Sequence, residues 1–273
     1  MSGSPSRPAA TLPPSPRAER PARPAAGGSR PAARPGPAPR AKGPARPAAL
    51  VLARAHSSAP VKPGLAPLLG AERRAALQAL LIRRAAAWAA AAAPGAAFVA
   101  VDGSLDDVAA LLPAGVTPFP QEGAAPSAAS RQTGMTAFPQ EGGAPPEVLA
   151  AAVARIGRGP LLIAGTDCVR LGAAHAAAAL DDLAAGCDVA IGATLEGGWY
   201  LAGLREPRPE LLAAAADAWR EGGIGPVLGR AADVGAEVGL LRYERLLATP
   251  HDAAALLADP LSPAELRAAL ATA

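Results

Sequence analysis

Residues 160–204 read PLLIAGTDCVRLGAAHAAAALDDLAAGCDVAIGATLEGGWYLAGL, and the fold follows from how this stretch is parsed. Apolar runs lie at 161–164, 189–191 and 199–201. The first ends in Gly165-Thr166-Asp167, and the second runs into Glu196-Gly197-Gly198. Between them, residues 172–185 are rich in Ala and Leu and long enough for a crossover helix. Strand, helix, strand at this spacing is the signal of a parallel βαβ unit. Open parallel sheets take their ligands outside the carboxyl ends of the strands. Asp167 and Glu196 therefore stand where such a sheet does its chemistry.

Working outward, the chain before residue 48 has a different character. Residues 1–48 hold 13 prolines, nine basic residues and one acid, a charge of +8, with no aromatic. Such a segment cannot bury enough apolar surface to offset its ordering entropy, so 1–47 is expected to be a disordered tail. The remaining chain, with 17 basic and 22 acidic residues, carries −5 and is long enough for one α/β domain over 48–273. A mildly acidic domain argues against specific nucleic-acid binding. Two cysteines, Cys168 and Cys187, make no disulfide framework and point to a reduced, cytoplasmic setting. No apolar run reaches the roughly 18 residues a membrane span needs, and the N-terminal segment lacks the hydrophobic stretch of a secretory signal, so none is expected.

Within the domain, strands are expected at 48–54, 96–101 and 238–241. Helices are expected at 70–93, 104–112, 146–157, 209–219 and 225–236. Ser104 and Thr249 read as helix caps, Thr249 with Pro250 in the first turn. Ser262-Pro-Ala-Glu265 reads as another capping pattern. Region 115–146 holds a duplication, TPFPQEG at 117–123 and TAFPQEG at 136–142. It is expected to be a long loop, with the second copy occupying the place in the fold.

Several stretches together resemble a bacterial family of GT-A-like glycosyltransferases, of the nucleotide-diphospho-sugar transferase fold. That family is distantly similar to the molybdenum-cofactor and phospholactate nucleotidyltransferases. The segment 53–70, ARAHSSAPVKPGLAPLLG, is similar to its basic loop after the first strand; 165–171, GTDCVRL, to its GTDCPxL; 196–204, EGGWYLAGL, to its DGGYYLxGL; and 246–253, LLATPHDA, to its closing DxDTPEDL. Gln140-Glu-Gly142 matches a glutamine–glycine motif in part. The resemblance implies a single Rossmann-like, three-layer GT-A domain with a mostly parallel central sheet. It implies a nucleotide-activated sugar as donor, an acceptor not identified by the sequence, and a divalent ion, Mg²⁺ or Mn²⁺, on Asp167. Asp167 and Glu196 would be catalytic, and Arg54, Lys62, Gln140, Thr166, Gly197, Gly198 and Asp252 would bind substrate. The chain departs from the pattern at Pro63-Gly64, where a Thr-Arg is expected, at Val169, at Glu196 for Asp, and at Leu246 and Ala248, where both closing aspartates are replaced. A nucleotidyltransferase on the same fold, or a non-catalytic nucleotide- or partner-binding descendant, stands beside the glycosyltransferase reading.

The chemistry of these residue types supports that placement. A leaving pyrophosphate needs its charge neutralised by metal or cations, and hard divalent ions take carboxylate oxygens and keep waters. Asp167 also reads simply as a strand-end residue capping its turn. Glu196 is a candidate ligand or general base, while Gly197-Gly198 equally makes a hairpin turn. Arg54 and Lys62 serve as point charges for phosphate, or as solvated loop charges. The three histidines have no zinc spacing with the cysteines. Hydrolase, Walker-type and dinucleotide-binding motifs are missing from the sequence.

Overall fold

A computed structural model describes residues 46–58, 60–121, 149–150, 153–154, 156, 159–221 and 223–271. The tail, Gln140 and the second copy of the duplication lie outside the described residues. Seven strands form one sheet: β1 (Ala48–Arg54), β2 (Ala97–Asp102), β3 (Val116–Pro120), β4 (Leu161–Gly165), β5 (Val189–Thr194), β6 (Trp199–Leu204) and β7 (Val238–Glu244). Their spatial order is β3-β2-β1-β4-β6-β5-β7. All pairings are parallel except those of β6, which runs antiparallel to β4 and β5. The expected α/β domain with a mostly parallel central sheet is what the chain forms.

The layers follow from which faces are apolar. Along β1, Ala49, Val51 and Ala53 pack on one side, with α1 (Ala71–Ala92) and α3 (Ala173–Ala185). Ala48, Leu50 and Leu52 pack on the other, with α4 (Pro209–Glu221), α5 (Gly225–Asp233) and the helical residues Leu149 and Val153. A strand buried on both faces reads as a continuous apolar run, as parallel sheets require. The short α2 (Leu105–Ala109) is capped by Ser104, whose hydroxyl accepts from the Asp107 N–H. A third apolar cluster joins Leu65, Leu77, Val169 and Leu247 to α6 (Pro250–Ala258) and α7 (Ala264–Leu270). It ties down the two loops that carry Lys62 and Asp167. No helix among the described residues is long and apolar enough to cross a membrane.

Three expectations need correction. Residues 116–120 are not loop but strand β3, so the first copy of the duplication enters the sheet, pairing Thr117 with Phe98 and Phe119 with Ala100. Pro118 and Pro120 hide the strand in the sequence, yet β3 lies at the edge of the described sheet, where a missing N–H costs least. Strand β7 runs on to Glu244, three residues past the expected end. Ser262 does not cap α7: Pro263 holds the N-cap position, and the Ser262 hydroxyl is buried with no partner among the described residues. Proline already supplies the extended backbone a cap needs (φ −57, ψ 132), which displaces the start by one residue.

Candidate functional site

Because six strands run the same way, β1, β2, β3, β4, β5 and β7 all end at one edge, and the start of antiparallel β6 meets them there. Arg54, Asp102, Gln121, Asp167, the 195–198 turn and Arg245 lie at that edge, at or just beyond the strand ends. The switch in direction of the strand order falls between β1 and β4, where ligand crevices form.

Lys62 and Asp167, far apart in sequence, are brought together there. The Lys62 ammonium sits 2.5 Å from Asp167 Oδ1 and donates to the Leu247 carbonyl at 3.2 Å, and its side chain is only 7% exposed. Asp167 Oδ1 also accepts the Thr166 hydroxyl at 2.9 Å. No hydrogen bond among the described residues uses Oδ2, and the Asp167 side chain is 26% exposed. Two donors thus orient the carboxylate and leave its second oxygen open. The Asp167 backbone is fixed too, since its carbonyl accepts the Leu247 N–H at 3.0 Å and Cys168 bridges Leu246. Lys62 is the only non-glycine described residue with positive φ, at 47°. A left-handed lysine costs about 1–2 kcal/mol, and such strain concentrates at ligand sites. The Lys62 loop can approach residue 248 this closely because Gly64 has no Cβ, which would collide with the Ala248 carbonyl.

Glu196 sits on the β5–β6 hairpin. The Gly197 N–H donates to the Thr194 carbonyl at 3.1 Å, and Gly197 takes φ 100, which closes the turn with a left-handed residue. Glu196 faces Arg245 at 3.8 Å and is 36% exposed. Gly197 and Gly198 spend their carbonyls on Ile224 and Thr194 N–H groups. Arg54 pairs with Asp102 at 3.0 Å. Gln121, the counterpart of Gln140 in the first copy, is 8% exposed and donates to the Ala100 carbonyl.

Asp252 stands differently from its expected place. It lies third in α6, 3% exposed, where Oδ2 accepts the Ala248 and Thr249 N–H groups and the Thr249 hydroxyl, and Oδ1 takes Arg245 at 3.1 Å. Both oxygens are engaged, so this residue completes the capping box with Thr249 at the start of α6 and holds Arg245.

Sequence reasoning missed a buried network behind the Asp167 loop. Glu244, 6% exposed, is 3.1 Å from His175 Nε2 and 2.8 Å from Arg242 Nε, with Arg170 at 3.9 Å. His175 Nδ1 accepts the Gly172 N–H, and Nε2 lies 3.1 Å from both Glu244 Oε1 and Arg242 Nε. Nothing local marks this cluster; a strand end rich in alternating charge, Arg242-Tyr-Glu-Arg245, was its only sequence signal. Burial, with Glu244 nearby, pushes the Cys168 thiol up to about 12, so it is protonated at neutral pH. A thiol titration at pH 8 should then find Cys187 reactive in the folded protein and both cysteines reactive in denaturant. Rapid modification of Cys168 in the native state would contradict this burial.

Residues 87–220, just under half of the chain, match a family model described as "Uncharacterized protein conserved in bacteria (DUF2064)". No curated protein matches the chain. Among solved structures, a Desulfovibrio desulfuricans G20 protein assigned as a nucleotide-diphospho-sugar transferase is similar at 19% identity and TM-score 0.62, covering 82% of this chain and 93% of its own. This likeness shows the fold, an α/β domain built on a mostly parallel central sheet. CMP:2-keto-3-deoxy-manno-octonic acid synthetase complexed with CTP also matches, at 13% identity and TM-score 0.42, over 76% of this chain and 94% of its own. A TM-score that low supports no argument.

Proposed function

We propose that the protein is a transferase acting on a nucleotide-activated sugar, bound over the carboxyl edge of the sheet. The observation that carries this reading is the Lys62–Asp167 pair at the β1/β4 switch point: a buried ammonium beside an oriented carboxylate with one free oxygen. The likeness to a protein assigned as a nucleotide-diphospho-sugar transferase supports it through the fold.

The donor set limits what a divalent ion would find. Among the described residues no group of three or more His, Cys, Asp or Glu is gathered to hold a metal. Asp167 Oδ2 fits as a single carboxylate ligand, with the rest of the shell drawn from phosphates and water, which is how Mg²⁺ is commonly held. The ion would then supply charge neutralisation of the pyrophosphate. The chain's own residues do the remainder. Lys62 meets phosphate oxygens as a point charge, Thr166 keeps Asp167 turned, and Glu196 takes the proton from an attacking acceptor hydroxyl.

A thermal-shift screen of nucleotides and nucleotide-sugars, with and without Mn²⁺, tests the reading on wild type and Asp167→Ala. Ligand at one hundred times its dissociation constant stabilises by about 2.7 kcal/mol, a shift of several degrees. A metal-dependent shift lost in the variant is expected with a nucleotide-sugar. A shift confined to a nucleoside triphosphate would turn the reading to nucleotidyl transfer, and no shift with any nucleotide would replace it with a non-catalytic role.

A further inference from the structure

Arg245 follows directly on β7 at the site edge, and two residues later Leu247 touches both Lys62 and Asp167 through its backbone. Its side chain is 28% exposed. Both of its partners among the described residues, Asp252 at 3.1 Å and Glu196 at 3.8 Å, meet the same nitrogen, Nη1. Nε and Nη2 therefore carry no hydrogen bond among the described residues. An arginine kept only to balance buried Asp252 would not need a second carboxylate nearby. The Glu196 contact is too long for a hydrogen bond and about a third exposed, the kind of pair a better anion displaces. What remains is a planar fork of donors, anchored at one corner and presented at the ligand edge, the geometry that suits a phosphate group.

We propose that Arg245 is a second phosphate-binding cation of this site, anchored by Asp252 and covered by Glu196 until an anion arrives. The inference rests on the nucleotide reading above and adds a residue to it. Phosphate oxygens take the free fork, and Glu196 is released at the same moment. Binding of the donor thus uncovers the carboxylate that serves as base. The loop at Pro63-Gly64 offers no cation of its own beside Lys62, and Arg245 supplies that charge from the end of β7.

The test is calorimetric titration of the full chain with inorganic pyrophosphate, in parallel with the nucleotide titrations. Arg245→Met is expected to weaken pyrophosphate binding by about 10-fold or more. Arg245→Lys, which keeps the charge against Asp252 and so protects folding, is expected to weaken it several-fold because the fork is gone. Glu196→Gln is expected to bind about two- to five-fold tighter, since the competing carboxylate is removed. Opposite signs at the two positions distinguish a binding fork from a structural ion pair, whose loss would weaken binding in both. Wild-type binding with all three variants within twofold of it, or no pyrophosphate binding by wild type, overturns the inference. If the variants respond to pyrophosphate as expected and no nucleotide binds, the fork stands and the transferase reading falls.

Discussion

Gly192→Ala lowers the melting temperature by roughly 5–10 °C. Gly192 lies on β5, and a Cβ there would meet the Tyr200 ring, 2.6 Å from Cε1 and 2.8 Å from the hydroxyl oxygen. The ring has nowhere to go. Tyr200 is 1% exposed, stacks edge-on against His175 with centroids 5.3 Å apart, and donates its hydroxyl to the Arg242 carbonyl at 3.1 Å. Overpacking of a tight core costs about 1–3 kcal/mol. If the ring moves to make room, the buried hydroxyl loses its partner, a further cost of about 1–3 kcal/mol. A total near 3 kcal/mol translates to the stated shift for a domain of this size. The backbone itself tolerates alanine, because Gly192 is not among the positive-φ glycines. Space alone is at issue, so Gly192→Ala combined with Tyr200→Leu should recover part of the loss. A single variant melting within a degree of wild type would show that the ring is not held as described.

The sheet's middle was legible because its strands are buried on both faces. β1 and β4 present unbroken apolar runs, and 172–185 presents an Ala/Leu helix between turn residues, so local pattern and tertiary role agree. The edges were not legible, for the opposite reason. β3 has prolines at two of five positions, and β7 exposes Leu240, Arg242 and Tyr243 while burying Leu241 and Glu244. A strand covered on one side only, with a charge turned inward, gives no continuous signal. For the site, residue types and strand ends singled out Lys62, Asp167 and Glu196, and each lies at the sheet edge. Their partners could not be read, because Leu247, Arg245 and Glu244 join the others only through the pairing of β7 with β5. Asp252 was read as a substrate contact because a sequence motif does not show which way a carboxylate faces. The Thr249–Asp252 spacing that makes it a cap was visible in the same residues.

Lys62 permits a prediction in which stability and binding separate. Lys62→Ala and Lys62→Gly both remove the ammonium that lies 2.5 Å from Asp167, and both should weaken nucleotide binding by the same factor. A hydrogen bond to a charged group is worth about 1.5–3 kcal/mol, or roughly 10- to 150-fold. Their stabilities should differ. At φ 47 alanine retains the left-handed strain and glycine does not. Relief of about 1–2 kcal/mol, less the roughly 0.5–1 kcal/mol that glycine loses in chain entropy on folding, leaves Lys62→Gly about 1 kcal/mol more stable than Lys62→Ala. Urea denaturation of the two variants measures that difference without any ligand. Nucleotide titration of the same preparations measures the other half. Equal stabilities would mean that the loop relaxes and stores no strain. Wild-type affinity in Lys62→Gly would mean that the ammonium neutralises Asp167 and nothing more. If stability diverges and affinity falls together, the strain exists to hold a charge where the phosphates arrive, which places the energetic cost of this loop in ligand binding and not in folding.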